Sequence, residues 1–273
     1  MKSTRVRGSI LEVCVWILSL VVLVPFVLVL VNSLKDRAGA NIMSLTLPSI
    51  FHWENYAIVV KEGKLVQSFC NSLLIAALST LVSVFFSAMA AFVLSRRRSR
   101  TNKGLYYFFL LGLAAPLNMV TVIRSLQIFH LMNSYLGIIL LYGALLMPFS
   151  IFLYYGFIAS VPREMDESAM MDGCRGFSGF FLIVFPLLQP VTFTVCVINF
   201  MNAWNEFMIP LYVLNNSGRW PMTLAIYNFY GRRVSDWNLV FADILITIFP
   251  VLVVYIVGQK YLVSGMTAGA VKG

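Results

Sequence analysis

The chain has 273 residues, of which 60% are hydrophobic and 11% charged. A soluble domain of this length is nearer half apolar and a quarter charged, so the balance excludes an ordinary soluble protein and points to residence in lipid. The formal net charge of +9 does not indicate nucleic acid as a partner. Its cations sit at the ends of apolar runs rather than on one amphipathic face with interleaved aromatics, and they read as membrane-orientation signals.

A bilayer core takes about 20 apolar residues per helix, whereas a transmembrane barrel shows short alternating strands. The long unbroken apolar runs here predict an all-α integral membrane protein with six transmembrane helices, near residues 13–34, 69–94, 105–123, 135–159, 190–212 and 239–257. No Pro/Gly/Ser linker or internal repeat divides the chain, so 1–273 is expected to be one membrane domain. Lys2, Arg5 and Arg7 precede the first run. That run is too long for the apolar core of a signal peptide and lacks a small-residue cleavage site, so it is expected to remain as the first span. The aromatic-rich piece at 48–56, with Phe51, His52, Trp53 and Tyr56, is expected to anchor at headgroup level.

Arg96, Arg97, Arg98, Arg100 and Lys103 lie between the second and third runs. Together with the N-terminal cations they mark the cytoplasmic side, which puts both termini and the loop 160–189 inside. The segments 35–67, 129–134 and 213–238 are then outside; Arg219, Arg232 and Arg233 oppose this, tolerably in a long loop that carries Asp236. Pro25, Pro116, Pro148 and Pro250 fall within the runs and predict bends that neighbouring helices can compensate.

The segment from Pro162 to Gly173 is too polar and too patterned to be a simple connector. Ser160 can cap a short helix, Pro162 suits a first turn, and Glu164 and Asp166 place anions at the positive end of the helix dipole. Met165, Ser168, Ala169 and Asp172 share one face at three- and four-residue spacing. Gly173 can end the helix in a left-handed conformation before the apolar stretch 177–185 reaches Pro186. Membrane-surface helices favour Lys and Arg, so this acidic helix fits docking to a cytoplasmic protein better than lying on lipid.

Glu167-Ser168-Ala169, three residues, Gly173, nine residues, then Ile183-Val184-Phe185-Pro186 resembles the EAA loop of ATP-binding-cassette importer permeases. Ser168 stands where the family usually has Ala, and Phe185 where it usually has Leu. Asn71-Ser72-Leu73, Trp204-Asn205-Glu206-Phe207 followed by Pro210, and the tail 265–273 resemble the carbohydrate-uptake branch, which includes the second permease of the maltose transporter. The resemblance implies a type I importer permease fold whose coupling helix carries Glu167, Ser168, Ala169, Asp172 and Gly173, supported by Ile183 and Pro186. It also implies a homologous permease as partner, two ATPase subunits that each receive one such helix, an extracytoplasmic sugar-binding protein, and the lipid bilayer around them. No GxxxxGK[ST] sequence occurs, so the chain is expected to be no enzyme and to bind no cofactor, with ATP and Mg held on the partner subunits.

In the fifth run Asn199, Asn202, Trp204, Asn205 and Glu206 cluster, with Glu206 about 24 Å along the helix from Pro190. Two roles stay open for them: lining a substrate pathway or gate, or hydrogen bonding between helices. Asp243 and Arg124 are expected to be solvated at membrane interfaces. Cys14, Cys70, Cys174 and Cys196 form no CxxC pair and His52 and His130 are the only histidines, which supports neither a disulfide framework nor a metal site. A permease for a sugar phosphate or polyol is the nearest alternative. A secondary transporter is a more distant one, because it would be expected to show inverted repeats.

The orientation has a direct test in single-cysteine labelling of intact cells. A cysteine at Ser99 should be shielded from an impermeant reagent and one at Asn216 should react; the reverse pattern would invert the topology.

Overall fold

The computed structural model describes residues 2–97, 99–171, 177–230 and 236–270. The elements are α1 (Lys2–Ser33), α2 (Arg37–Asn41), α3 (Glu54–Glu62), α4 (Leu65–Arg96), α5 (Arg100–Ala114), α6 (Met119–Ile128), α7 (Tyr135–Ser160), α8 (Glu164–Met171), α9 (Phe177–Leu187), α10 (Gln189–Asn205), α11 (Met208–Val213), α12 (Met222–Ala225) and α13 (Trp237–Ala270). Four stretches are long and apolar enough to cross a membrane as single helices: Cys14–Ser33, Leu65–Arg96, Tyr135–Ser160 and Trp237–Lys260. Two bent pairs bring the number to six, α5 with α6 at 119° and α9 with α10 at 81°.

The bends have covalent causes. Pro116 lacks an amide hydrogen and disfavours helix in the residue before it, and Ala115 is accordingly extended at φ −72°, ψ 124°. The new helix α6 is capped by Asn118, whose Oδ1 accepts from Val120 N at 3.0 Å and Thr121 N at 3.3 Å. In the fifth span Phe180–Val184 is a π turn, in which Phe185 N donates to Phe180 O. This wider turn leads into Pro186, where an ordinary helical turn would lose a hydrogen bond. Leu188 then leaves the helix at φ −81°, ψ 3°, and Pro190 falls in the first turn of α10, where its fixed φ is tolerated. Pro25, Pro148 and Pro250, by contrast, lie inside continuous helices.

The described residues of Met1–Val66 with Ala225–Phe249 form one compact unit, and those of Gln67–Leu224 with Pro250–Gly273 form another. In the first, α1 presents apolar side chains outward, Trp16 at 70% exposed and Leu18 at 66%, as a helix facing lipid or another membrane protein must. Its end is pinned by Asn55 of α3, which is buried: Asn55 Nδ2 donates to Ser33 O at 2.8 Å and Lys35 O at 2.9 Å, and Asn55 Oδ1 accepts from Asn238 Nδ2 at 2.9 Å. Lys35 is buried too and is satisfied by Asn32 Oδ1, Ser44 O and Ser44 Oγ at 2.8–3.0 Å. Phe51 and Trp53 remain exposed, and Trp53 stacks on Phe51 and Tyr56. The aromatic segment thus presents rings outward while its neighbour Asn55 closes the loop.

In the second unit the core joins α4, α7, α9 and α10 through Val84, Ala88, Ala91, Ile151, Tyr154, Ile158, Phe180, Val184 and Val195. Small residues set the spacing: a Cβ on Gly143 of α7 would lie 2.6 Å from Val82 Cγ1 of α4, and one on Gly112 of α5 would lie 2.9 Å from Pro148 Cγ of α7.

Asn55→Ala would strand two buried carbonyls and the Asn238 amide. It should destabilise the chain by about 2–4 kcal/mol. Asn55→Asp, which turns a carboxylate towards those carbonyls, should be no better. Thermal unfolding of the purified protein in detergent, followed by tryptophan fluorescence, measures both, and wild-type midpoints would show that Asn55 is not the closing residue.

Candidate coupling and pathway sites

Ser160 is the last residue of α7 and donates its hydroxyl back to Phe157 O at 2.7 Å, so it does not cap α8 as the sequence suggested. The chain leaves α7 at Val161, which is extended, and resumes helix only at Glu164; Asp166 N donates to Arg163 O at 2.9 Å in that first turn. The backbone needs those intervening residues to change direction, which removes Ser160 from capping reach.

Arg96, the last residue of α4, holds α8 in place. Arg96 Nε lies 2.6 Å from Asp166 Oδ2, with the two side chains 13% and 15% exposed. Arg96 Nη1 donates to Val161 O at 3.1 Å, just past the end of α7, and at 3.4 Å to Ile158 O, which also accepts from Val161 N at 3.1 Å. One planar guanidinium therefore ties the ends of α4 and α7 to the first turn of α8, a geometry an ammonium could not reproduce. Beyond α8, the π turn packs against it, and α9 carries an aromatic cluster in which Phe180 contacts Phe92 and Phe181 stacks on Phe85 at 5.5 Å.

Of the expected coupling residues, Glu167, Ser168 and Ala169 fall within α8. Asp172 and Gly173 lie outside the described residues. Ile183 is half-buried in the π turn, and Pro186 is exposed in the last turn of α9.

The polar residues of the fifth span divide by face. Asn199 is buried at the meeting of three helices: its Nδ2 donates to Ser83 Oγ of α4 at 3.1 Å and Ser150 Oγ of α7 at 2.9 Å. Trp204 is 2% exposed, stacked on Phe200 at 5.6 Å and edge-on to Phe69 at 5.7 Å. Asn202 and Asn205 are exposed. Glu206 is half-buried at the C-terminus of α10, and its Oε1 accepts from Met208 N at 2.9 Å and Ile209 N at 3.2 Å, capping α11 across the break. Its carbonyl accepts from Thr223 Oγ1 at 3.1 Å.

Sequence reasoning missed Ser83 and Ser150, which receive Asn199. The available signal was the run Ser72, Ala76, Ser79, Ser83 and Ser87, small residues at helical spacing along one side of α4, all buried. The Asn71-Ser72 pair acquires a structural role: Asn71 Nδ2 donates to Gly218 O and Trp220 O, both at 3.0 Å, and Ser72 Oγ accepts from Met222 N at 2.8 Å. These bonds hold the segment after α11 onto α4. Arg124 is exposed and donates to Gln127 Oε1 at 3.3 Å. Asp243 is only 1% exposed, not solvated at an interface as expected, because α13 turns it into the packed face that also buries Val240 and Ala242.

Up to six candidate spans make this a polytopic membrane protein, with α8 clamped to the ends of α4 and α7, and comparison with known proteins shows its family. Residues 83–268 match the model of the family described as binding-protein-dependent transport system inner membrane component. The chain is 32% identical over 274 residues to a probable starch degradation products transport system permease of Thermoanaerobacterium thermosulfurigenes, covering 100% of both chains. It is 32% identical over 253 residues to the melibiose/raffinose/stachyose import permease of Bacillus subtilis, covering 92% of this chain and 91% of that one. A bacterial ABC transporter involved in the import of the acidic polysaccharide alginate has a chain of the same fold, with a TM-score of 0.83 at 21% identity and coverage of 96% and 98%. The chain belongs to the binding-protein-dependent inner membrane component family, the permeases of ABC importers.

The Arg96–Asp166 pair supports a double-mutant cycle. Arg96→Gln and Asp166→Asn should each cost about 1–3 kcal/mol in detergent, because each leaves the other group partly buried and unpaired. The double variant should be little worse than either single one. Strictly additive losses in thermal unfolding would show that the pair is not coupled.

Proposed function

We propose that this chain is the membrane-spanning subunit of an ATP-driven carbohydrate importer, forming the translocation pathway with a homologous permease and docking α8 into a cytoplasmic ATPase subunit. The observation that carries this reading is the Arg96 clamp. Because one side chain binds α8 to the ends of α4 and α7, displacement of α8 is displacement of the spans. A short helix with Glu164, Asp166 and Glu167 suits docking to a protein cleft, and a rigid attachment turns closure of an ATPase pair into rocking of the permease. ATP and Mg belong to those partner subunits in this reading, and an extracytoplasmic binding protein delivers the cargo. The loop carrying Arg96 to Lys103 faces the cytoplasm, with both termini.

The cargo reading draws on the relatives whose names specify starch degradation products and raffinose-type sugars. It agrees with the chemistry of the fifth span. Asn202 and Asn205 are exposed in the last turn of α10, where amides facing hydrocarbon are costly, so in this reading they face water in the pathway or the partner permease. Residues 189–213 contain no Lys or Arg. Amides and one carboxylate suit sugar hydroxyls, whereas a sugar phosphate calls for a cation. Asn199 and Trp204 act differently, as a buried tie and a packed wall behind that face.

Two experiments test the reading. Glu167→Lys should insert normally yet abolish sugar uptake and weaken co-purification of the ATPase; unchanged uptake and co-purification would refute the coupling role. Asn202→Ala with Glu206→Gln should leave assembly intact while uptake per assembled complex falls about ten-fold, in line with losing one or two hydrogen bonds to a sugar. A loss confined to assembly would assign these residues to structure alone.

A further inference from the structure

A cavity of about 590 Å³ opens at the end of the second unit that carries α8, between α4, α5 and α7. Its lining includes five cations, Arg96, Arg97, Arg100, Lys103 and Arg163, and no lining residue described is acidic. Arg96 is engaged by Asp166, and Arg163 Nη2 donates to Arg96 O at 3.4 Å, so the wall is pinned while Arg97, Arg100 and Lys103 stay exposed at the mouth. Ser99 caps α5 there, its Oγ accepting from Asn102 N at 3.1 Å, so the positive end of a 15-residue helix adds to the same field. Tyr106 stacks on Tyr155 at 3.9 Å, and both rings line the cavity with Tyr107.

We propose that this cavity holds the headgroup of an anionic phospholipid. A solvated cationic face would be the ordinary reading of such a charge run, but these cations line a concavity at the foot of apolar spans, where a phosphate-bearing ligand reaches several of them together. The neighbouring surface selects a lipid over a free anion. Lys103, Tyr107 and Leu111 follow one another at four-residue spacing on α5, and Tyr107 and Leu111 are 53% and 67% exposed. This stripe runs from the cationic mouth through a ring suited to headgroup depth onto an apolar surface that an acyl chain can cover. The lipid then sits beside Arg96, so that inner-leaflet composition bears on the clamp that positions α8. The proposal rests on the placement of these helices in a bilayer and is independent of the cargo.

The test uses the full-length chain purified in neutral detergent, where neither leaflet nor transport matters, with retained lipid read by native mass spectrometry. Phosphatidylglycerol should be retained over phosphatidylcholine, and the preference should weaken with added salt. Arg97→Gln, Arg100→Gln and Lys103→Gln should each reduce it about five-fold. Arg163→Gln, on a different connection, serves if changes in the first loop disturb insertion, and the exposed pair Lys61→Gln/Lys64→Gln should leave the preference unchanged. Equal retention of the two lipids, wild-type retention by the cavity variants, or equal losses in the control pair would overturn the proposal. So would inorganic phosphate at millimolar concentration binding in place of the lipid, which would make the cavity a free-anion site. Failure of the topology would appear in the cysteine labelling instead, and failure of the importer reading in uptake.

Discussion

In hydrocarbon there is no water to satisfy a backbone amide or carbonyl, so every departure from helix must bring its own partner. The breaks in the long apolar runs obey this constraint. Asn118 caps the helix after Pro116, and the Glu206 carboxylate caps α11 where α10 stops. The π turn before Pro186 closes with Phe185 N on Phe180 O. Arg96 takes the Val161 carbonyl just past the end of α7 and shares that of Ile158 with the Val161 amide. The amide nitrogens of two buried asparagines follow the same economy. Asn199 is tolerated between three helices because two serines receive its amide, and Asn55 because two carbonyls and another asparagine surround it.

Against that background, the polar groups left exposed on membrane helices carry information. Asn202 and Asn205 lie on the same helix as buried Asn199 yet outside the packed face, so one span supplies both a structural tie and an exposed polar face. Trp204 divides the two, with its ring closed against Phe69 and Phe200.

The connections at the ends of α4 and α7 add a second theme, in which neighbouring cations serve different purposes. Arg96 belongs to the cationic cluster after α4, and its guanidinium joins three helices, while its neighbours line the cavity beside it. Lysine in place of Arg96 would preserve the orientation signal and lose the fork that spans Asp166 and two carbonyls. The attachment of α8 is therefore a matter of geometry at one residue as much as of charge.

Run lengths alone determined that the chain is a helical membrane protein with six spans, because bilayer thickness sets a length that hydropathy reports directly. The spacing of acids and small residues after Pro162 located α8, and the prolines marked where bends could occur. Tertiary structure decided where the spans bend sharply, at Ala115–Pro116 and at Leu188, whereas Pro25, Pro148 and Pro250 sit in continuous helices, so a proline in an apolar run does not by itself fix a break. It also decided that Asn199 points inward and Asn202 outward, that Ser160 bonds back to α7 in place of capping α8, and that Asp243 is buried. Ser83, Ser150 and Asp166 became meaningful only beside residues 49 to 116 positions away in the chain. A pattern along one helix gives the face a residue lies on, but the partner that satisfies it comes from another helix, and packing alone brings the two together.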